Sequence, residues 1–116
     1  DAVEGRVGVA THFWSNLEGR LDDAVEEGLY RIAQEALNNT LRHAEAKSVS
    51  VRLQAEDGIV SLDVSDDGCG FDLDKVRHLG GFGLDTMRER AACLGADLVI
   101  QSHPGHGTSI RVEVAR

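Results

Sequence analysis

Two runs of alternating residues meet at Asp57-Gly58, and that junction constrains the fold more than any other feature of the chain. From Ser48 to Ala55 the apolar residues Val49, Val51 and Leu53 recur at every second position, and Val60, Leu62 and Val64 repeat the pattern after the junction. A period of two sends side chains to alternate faces of a strand, so each run predicts a strand with one buried face. Asp-Gly favours the left-handed backbone of a tight turn, so the two runs predict an antiparallel hairpin. A second pair of runs, Leu98–Ser102 and Thr108–Val114, flanks the turn residues His103-Pro104-Gly105-His106-Gly107. Two hairpins with apolar inner faces need something to bury those faces against.

Two helical periodicities supply it. Asp22 or Asp23 is a good N-cap. After it Val25, Leu29, Ile32, Ala33, Ala36 and Leu37 form one stripe, which predicts a helix to about His43 or Ala44. Leu84, Met87, Ala91 and Leu94 predict a second helix, closed by Gly95. A strand over Arg6–Phe13, with Val7, Val9 and Phe13 on one face, opens the chain, and Trp14 reads as a packing residue. The order strand, helix, hairpin, loop, helix, hairpin predicts an α+β fold: a two-layer α/β sandwich with a mixed, mostly antiparallel sheet covered on one face by helices. The 116 residues suffice for a single domain with its own core.

Composition excludes several classes of function. A net charge of −8 argues against direct contact with nucleic acid or an anionic membrane surface. Cys69 and Cys93 are too few for a disulfide framework, and the five histidines are scattered, so no His/Cys metal centre is expected. Free thiols fit a reducing cytoplasm. The sequence contains no signal peptide and no apolar run of membrane-spanning length.

Polar residues at inward-facing positions carry the functional signal. The parity of Val60, Leu62 and Val64 continues to Asp66, which aims a carboxylate at the core side. Burying it without a partner is costly. Either the strand stops early and Asp66 caps a turn, or Asp66 accepts a hydrogen bond from a ligand. The last strand repeats the pattern at Thr108, an ordinary strand residue when taken alone. On the first helix Glu35, Asn39 and Arg42 stand at i, i+4 and i+7, beside Ile32 and Ala36. They read either as a helix-stabilising Glu–Arg pair beside a solvated amide, or as a row that handles a metal–phosphate group. In the second reading the Asn39 amide oxygen suits Mg²⁺ and Arg42 suits phosphate. The three signals converge on a nucleotide pocket in which Asp66 accepts from an exocyclic amine. The loop "SDDGCGF" after the strand would then hold the base, with Gly68 and Gly70 letting the backbone pass close to it. No P-loop sequence occurs, and "GFGLDT" lacks the third glycine of a dinucleotide fingerprint.

Four ordered motifs resemble those of histidine kinase catalytic domains. "RIAQEALNNTLRHA" resembles the N box, "DDGCG" the G1 box, "GGFGL" the G2 box and "GHGT" the closing glycine–threonine motif. The flavour is that of the NarL/DesK-like subfamily, whose ATP lid is short, within the Bergerat-fold superfamily that includes gyrase, Hsp90 and MutL ATPases. The resemblance implies a domain that binds MgATP and passes the γ-phosphoryl group to a histidine in two-component signalling. By position it implies Mg²⁺ at Asn39, and Arg42 and His43 near the phosphates or ribose. Asp66 would read the adenine, with Gly68 and Gly70 shaping its pocket. Gly81, Gly83 and Leu84 would form the lid hinge and the start of the second helix, and Thr108 would support the base through Asp66 or water. Glu35 matches the acidic N-box position, which positions water or acts as a base. Asp67 departs from the commoner asparagine and adds negative charge to the G1 box.

The resemblance also implies partners. The acceptor histidine of such kinases lies on a separate helical dimerisation domain and is followed by an acidic residue. Here the histidines precede Phe13, Ala44, Leu79, Pro104 and Gly107. The expectation is therefore a catalytic piece of a longer sensor kinase, monomeric by itself and cytoplasmic, whose parent is in some cases membrane-anchored. Its partners would be the phosphoacceptor domain and, through it, a response regulator. An anti-sigma-factor-type serine kinase on the same fold, and an inactive nucleotide-binding module, are the competing readings.

Overall fold

A computed structural model describes residues 10–41, 46–72 and 83–115. The elements follow the expected order: β1 (Ala10–Ser15), α1 (Asp23–Asn39), β2 (Ser48–Glu56), β3 (Ile59–Asp66), α2 (Leu84–Cys93), β4 (Asp97–Ser102) and β5 (Thr108–Ala115). The strands form one mixed sheet in the order β1-β2-β3-β5-β4. Only β1 and β2 run parallel; the other three pairings are antiparallel.

The hairpin between β2 and β3 turns at Asp57 and Gly58, with φ of 52° and 77°. Positive φ at both central residues is the turn whose twist matches that of the strands it joins. The resulting register pairs Val51 with Val64 and Leu53 with Leu62, and β5 continues the rows with Ile110 and Val112. Those rows form the core with Leu29, Ile32 and Ala36 of α1 and Met87 and Ala91 of α2. On the opposite face Ser50, Arg52, Ser65, Arg111 and Glu113 are exposed. The sheet is thus covered on one side.

Both helices pack on each other as well as on the sheet. A β-carbon at Gly28 would come within 2.8 Å of the Leu94 side chain, so glycine sets how closely α1 and α2 approach. The end of α2 is a full Schellman motif: Ala96 N–H donates to Ala91 O at 2.9 Å and Gly95 N–H to Ala92 O at 3.0 Å.

Three local expectations are corrected or narrowed. Asp22 does occupy the N-cap position of α1, but its side chain makes no capping hydrogen bond. Phe13 pairs with Val51 on the helix side of the sheet yet is 69% exposed, because β1 is an edge strand beyond the reach of the helices. Trp14 packs on the outer face, with the Arg52 guanidinium 4.4 Å from its ring centre. The expected strand residues Val7 and Val9 lie outside the described residues.

Candidate functional site

One end of the sandwich collects the polar residues that break the apolar pattern. Register places Val49, Asp66, Thr108 and Ser102 in a single row across β2, β3, β5 and β4. The next row inward, Val51, Val64, Ile110 and Ile100, is buried and apolar. Above the polar row runs the C-terminal turn of α1. A cleft opens between them, lined by Ala36, Asn39, Thr40, Val64, Asp66, Phe71, Thr108 and Ile110. Asn39 of the helix row and Asp66 at the strand end therefore line one cleft.

Asp66 keeps its place in the strand ladder and also caps the turn that follows. Its Oδ1 accepts the Gly68 N–H at 2.9 Å, and its Oδ2 accepts the Thr40 hydroxyl at 3.0 Å. Each carboxylate oxygen keeps acceptor capacity beyond its one bond. Asn39 is only 7% exposed, so its amide is not the solvated group that the alternative reading required. Thr108 is buried, and its hydroxyl lies 2.8 Å from Ser102 Oγ.

The glycine loop is fixed to the turn between β4 and β5. Phe71 N–H donates to Ser102 Oγ at 2.9 Å, and Gly105 N–H donates to Cys69 O. Gly70 has φ of 64°, and a β-carbon there would collide with His103 O. Its missing side chain serves this contact with the turn. Gly68 contributes its N–H to Asp66. Phe71 is thereby held as a wall of the cleft.

Asp67 points elsewhere. Its Oδ1 accepts two successive backbone N–H groups, from Lys47 at 2.9 Å and Ser48 at 3.0 Å, and its Oδ2 accepts Ser48 Oγ–H at 3.2 Å. The Ser48 and Lys47 bonds stabilise the charged form and hold its carboxyl below the ordinary aspartate value of 3.8. The extra charge in the G1 box is matched by these donors and does not line the cleft.

Glu35 lies one helical turn from Asn39, about 6 Å along α1. Its carboxylate packs against Gly83, the N-cap residue of α2, so tightly that any side chain at Gly83 would strike it. Gly83 O accepts the Met87 N–H at 2.9 Å, and Leu84, partly buried, begins the helix. Arg42, His43 and Gly81 lie outside the described residues.

Four residues of the site escaped the sequence reading. Ser102 carried a usable signal, because it continues the inward parity of Leu98 and Ile100 just as Asp66 and Thr108 continue theirs. Thr40 extends the stripe Leu29, Ile32, Ala36 by one turn. Gly107 stands within the "GHGT" motif, and a β-carbon on it would collide with Asp66 O. Phe71 had no signal, since its position depends on the Ser102 contact.

The cleft fits an adenine nucleotide in chemistry. Ala36, Val64, Ile110 and Phe71 offer apolar walls to a flat base, and Asp66 offers an acceptor at its end. The fit for Mg²⁺ is a single amide oxygen at Asn39, in keeping with an ion that takes few protein ligands and several from phosphates. Among the described residues, no group of three or more His, Cys, Asp or Glu side chains could hold a metal ion. As it stands the cleft leaves about 10 Å³ for the centre of a water molecule, room for about one water. A base enters only if the cleft widens.

Comparison with known proteins bears on this geometry. Residues 24–116 match the family described as "Histidine kinase-, DNA gyrase B-, and HSP90-like ATPase". The chain is 39% identical over 101 residues to sensor histidine kinase LiaS of Bacillus subtilis, covering 87% of this chain and 28% of that protein. It is 40% identical over 94 residues to sensor protein VraS of Staphylococcus aureus, covering 81% of this chain and 27% of VraS. The chain thus spans about a quarter of the length of these relatives. The histidine kinase domain of a blue-light activated histidine kinase from Erythrobacter litoralis superposes with a TM-score of 0.73 at 24% identity, covering 98% of this chain and 56% of that one. That likeness is one of fold. No helix among the described residues is long and apolar enough to cross a membrane.

Proposed function

Because the chain belongs to the histidine kinase-, DNA gyrase B- and HSP90-like ATPases, we propose that it is a single ATP-binding catalytic domain which binds MgATP and transfers the γ-phosphoryl group to a histidine on a separate helical domain. The observation that carries this reading is Asp66: a carboxylate in a mostly apolar cleft whose lining also includes the buried Asn39 of α1. Asp66 accepts from the adenine amine, and Gly68 holds the carboxylate through its N–H. Thr108, tied to Ser102, flanks the base. Asn39 supplies an oxygen to Mg²⁺, which when bound neutralises charge developing on the phosphates. Arg42 and His43, next in the chain, bind the phosphates or ribose. Gly81, Gly83 and Leu84 form the hinge and the helix start beside the phosphates, where backbone N–H groups favour an anion. Glu35 positions the reacting groups at that junction.

In the transfer, an acceptor imidazole nitrogen attacks the γ-phosphorus, the bond to the β,γ-bridging oxygen breaks, and ADP leaves. The parent is then a sensor kinase, cytoplasmic at this domain, whose partners are its dimerisation domain and a response regulator. The test is to mix the chain with γ-labelled MgATP and the histidine-bearing hairpin of its parent kinase. Acid-labile, base-stable label on the hairpin is expected. Acid-stable label on serine, or no transfer from a chain that has bound ATP, would overturn the assignment.

A further inference from the structure

Thr40, on the helix wall of the cleft, is hydrogen-bonded to the acceptor Asp66. It is buried, at the C-cap of α1, where the helical path widens into a π turn at Thr40 and Leu41. Such turns recur at functional sites. Its hydroxyl has two acceptors in reach, Ala36 O at 3.2 Å and Asp66 Oδ2 at 3.0 Å. It has one proton to give. The carboxylate is the nearer acceptor and carries the charge, so the proton goes to Asp66. Gly68 N–H holds the other oxygen at 2.9 Å.

We infer that Thr40 is a positioning residue for base recognition: it fixes the plane of the Asp66 carboxylate so that its remaining lone pairs point into the cleft. The inference rests on the proposed adenine site and adds a residue to it. A planar carboxylate gripped at both oxygens by donors from two different elements cannot turn about its last side-chain bond. With Gly68 alone, it is held at one oxygen and pivots. The incoming amine must then immobilise it, which costs binding free energy. The same bond ties the end of α1, which carries Asn39, to the strand end that reads the base.

The experiment titrates ATP and GTP into the chain and into Thr40→Val and Thr40→Ser, with a melting curve for each. Thr40→Val keeps the shape and loses the hydroxyl. It should weaken ATP by roughly three- to tenfold, leave GTP nearly unchanged, and shrink the ATP:GTP ratio by the same factor. Thr40→Ser keeps the donor and should restore the ratio to within about twofold of the parent. In an Asp66→Asn background Thr40→Val should not alter the ratio further. A ratio unchanged by Thr40→Val, or altered equally in both backgrounds, overturns the inference. If Thr40→Val does not fold, Thr40→Ser decides alone: a folded Ser variant that has lost the ratio is equally contradictory. A parent chain that binds neither nucleotide would instead sink the proposed function.

Discussion

Gly107 lies against the backbone carbonyl of Asp66, so closely that a β-carbon at Gly107 would collide with that oxygen. The turn between β4 and β5 is therefore packed against the strand end that carries Asp66, although none of its residues lines the cavity, which Thr108 at the start of β5 does.

Substitution in this turn should be graded by contact. Gly107 and Gly105 both have positive φ, 74° and 83°, but a β-carbon at Gly105 would meet nothing within 4 Å. Gly105→Ala should cost only backbone strain, about 1 kcal/mol. Gly107→Ala adds the collision and should cost several times as much, with a melting temperature lower by roughly 10 °C or more. Thermal melts of the two variants give the order directly. Equal melting temperatures would mean that the turn relaxes away from Asp66.

Asp67 should make the fold acid-sensitive without affecting the nucleotide. Its carboxyl titrates below the ordinary value of 3.8 because Ser48 and Lys47 donate backbone N–H groups to the charged form. The unfolded chain then binds the proton more readily than the folded one, so stability rises with pH across that window. The contribution is complete above the ordinary carboxyl value and is lost as pH falls through the lower, folded one. Asp67→Asn removes this titration. Melting temperatures followed from pH 6 downward should start apart for parent and variant and converge as pH falls through the lowered, folded carboxyl value. At neutral pH the variant should bind ATP within about twofold of the parent, since Asp67 does not line the cleft. A large gain in affinity would mean that the charge is felt in the site.

The parts of this fold that were legible in the sequence are those set by local rules. Asp57-Gly58 gave the hairpin, Gly95 the helix end, and the parity of Val60, Leu62, Val64 and Asp66 aimed a carboxylate inward. The rest depends on register and on contacts between distant segments. That Asp66 sits beside Thr108 and Thr108 beside Ser102 follows from the pairing of β3, β5 and β4, which no single strand specifies. Asp67 reads as surplus charge until Lys47 and Ser48 are brought to it. Phe13 reads as core until β1 is placed at the sheet edge. Thr40 extends the apolar stripe of α1 by one turn, and nothing local in the sequence names Asp66 as its partner.

Asn39→Ala should separate the two ends of the ligand. Asn39 faces the cleft from α1 and Asp66 from β3. Loss of one oxygen ligand to a charged centre should weaken MgATP by roughly tenfold or more. Adenosine, which carries no phosphate and needs no Mg²⁺, should lose less than about threefold. Titrations of both ligands with and without Mg²⁺ check this. A variant that binds MgATP like the parent would remove Asn39 from the metal.

The central claim is that the cleft reads an adenine through Asp66, and the most direct measurement is paired titration of ATP and GTP into the parent and Asp66→Ala. On that claim Asp66 would accept from the amine of ATP but face a carbonyl in GTP, a mismatch worth roughly 1–3 kcal/mol. The parent should bind ATP at least about fivefold more tightly than GTP, and Asp66→Ala should erase most of the difference by weakening ATP. Superimposable curves for the two nucleotides in the parent, or a preference that survives in Asp66→Ala, would contradict the account.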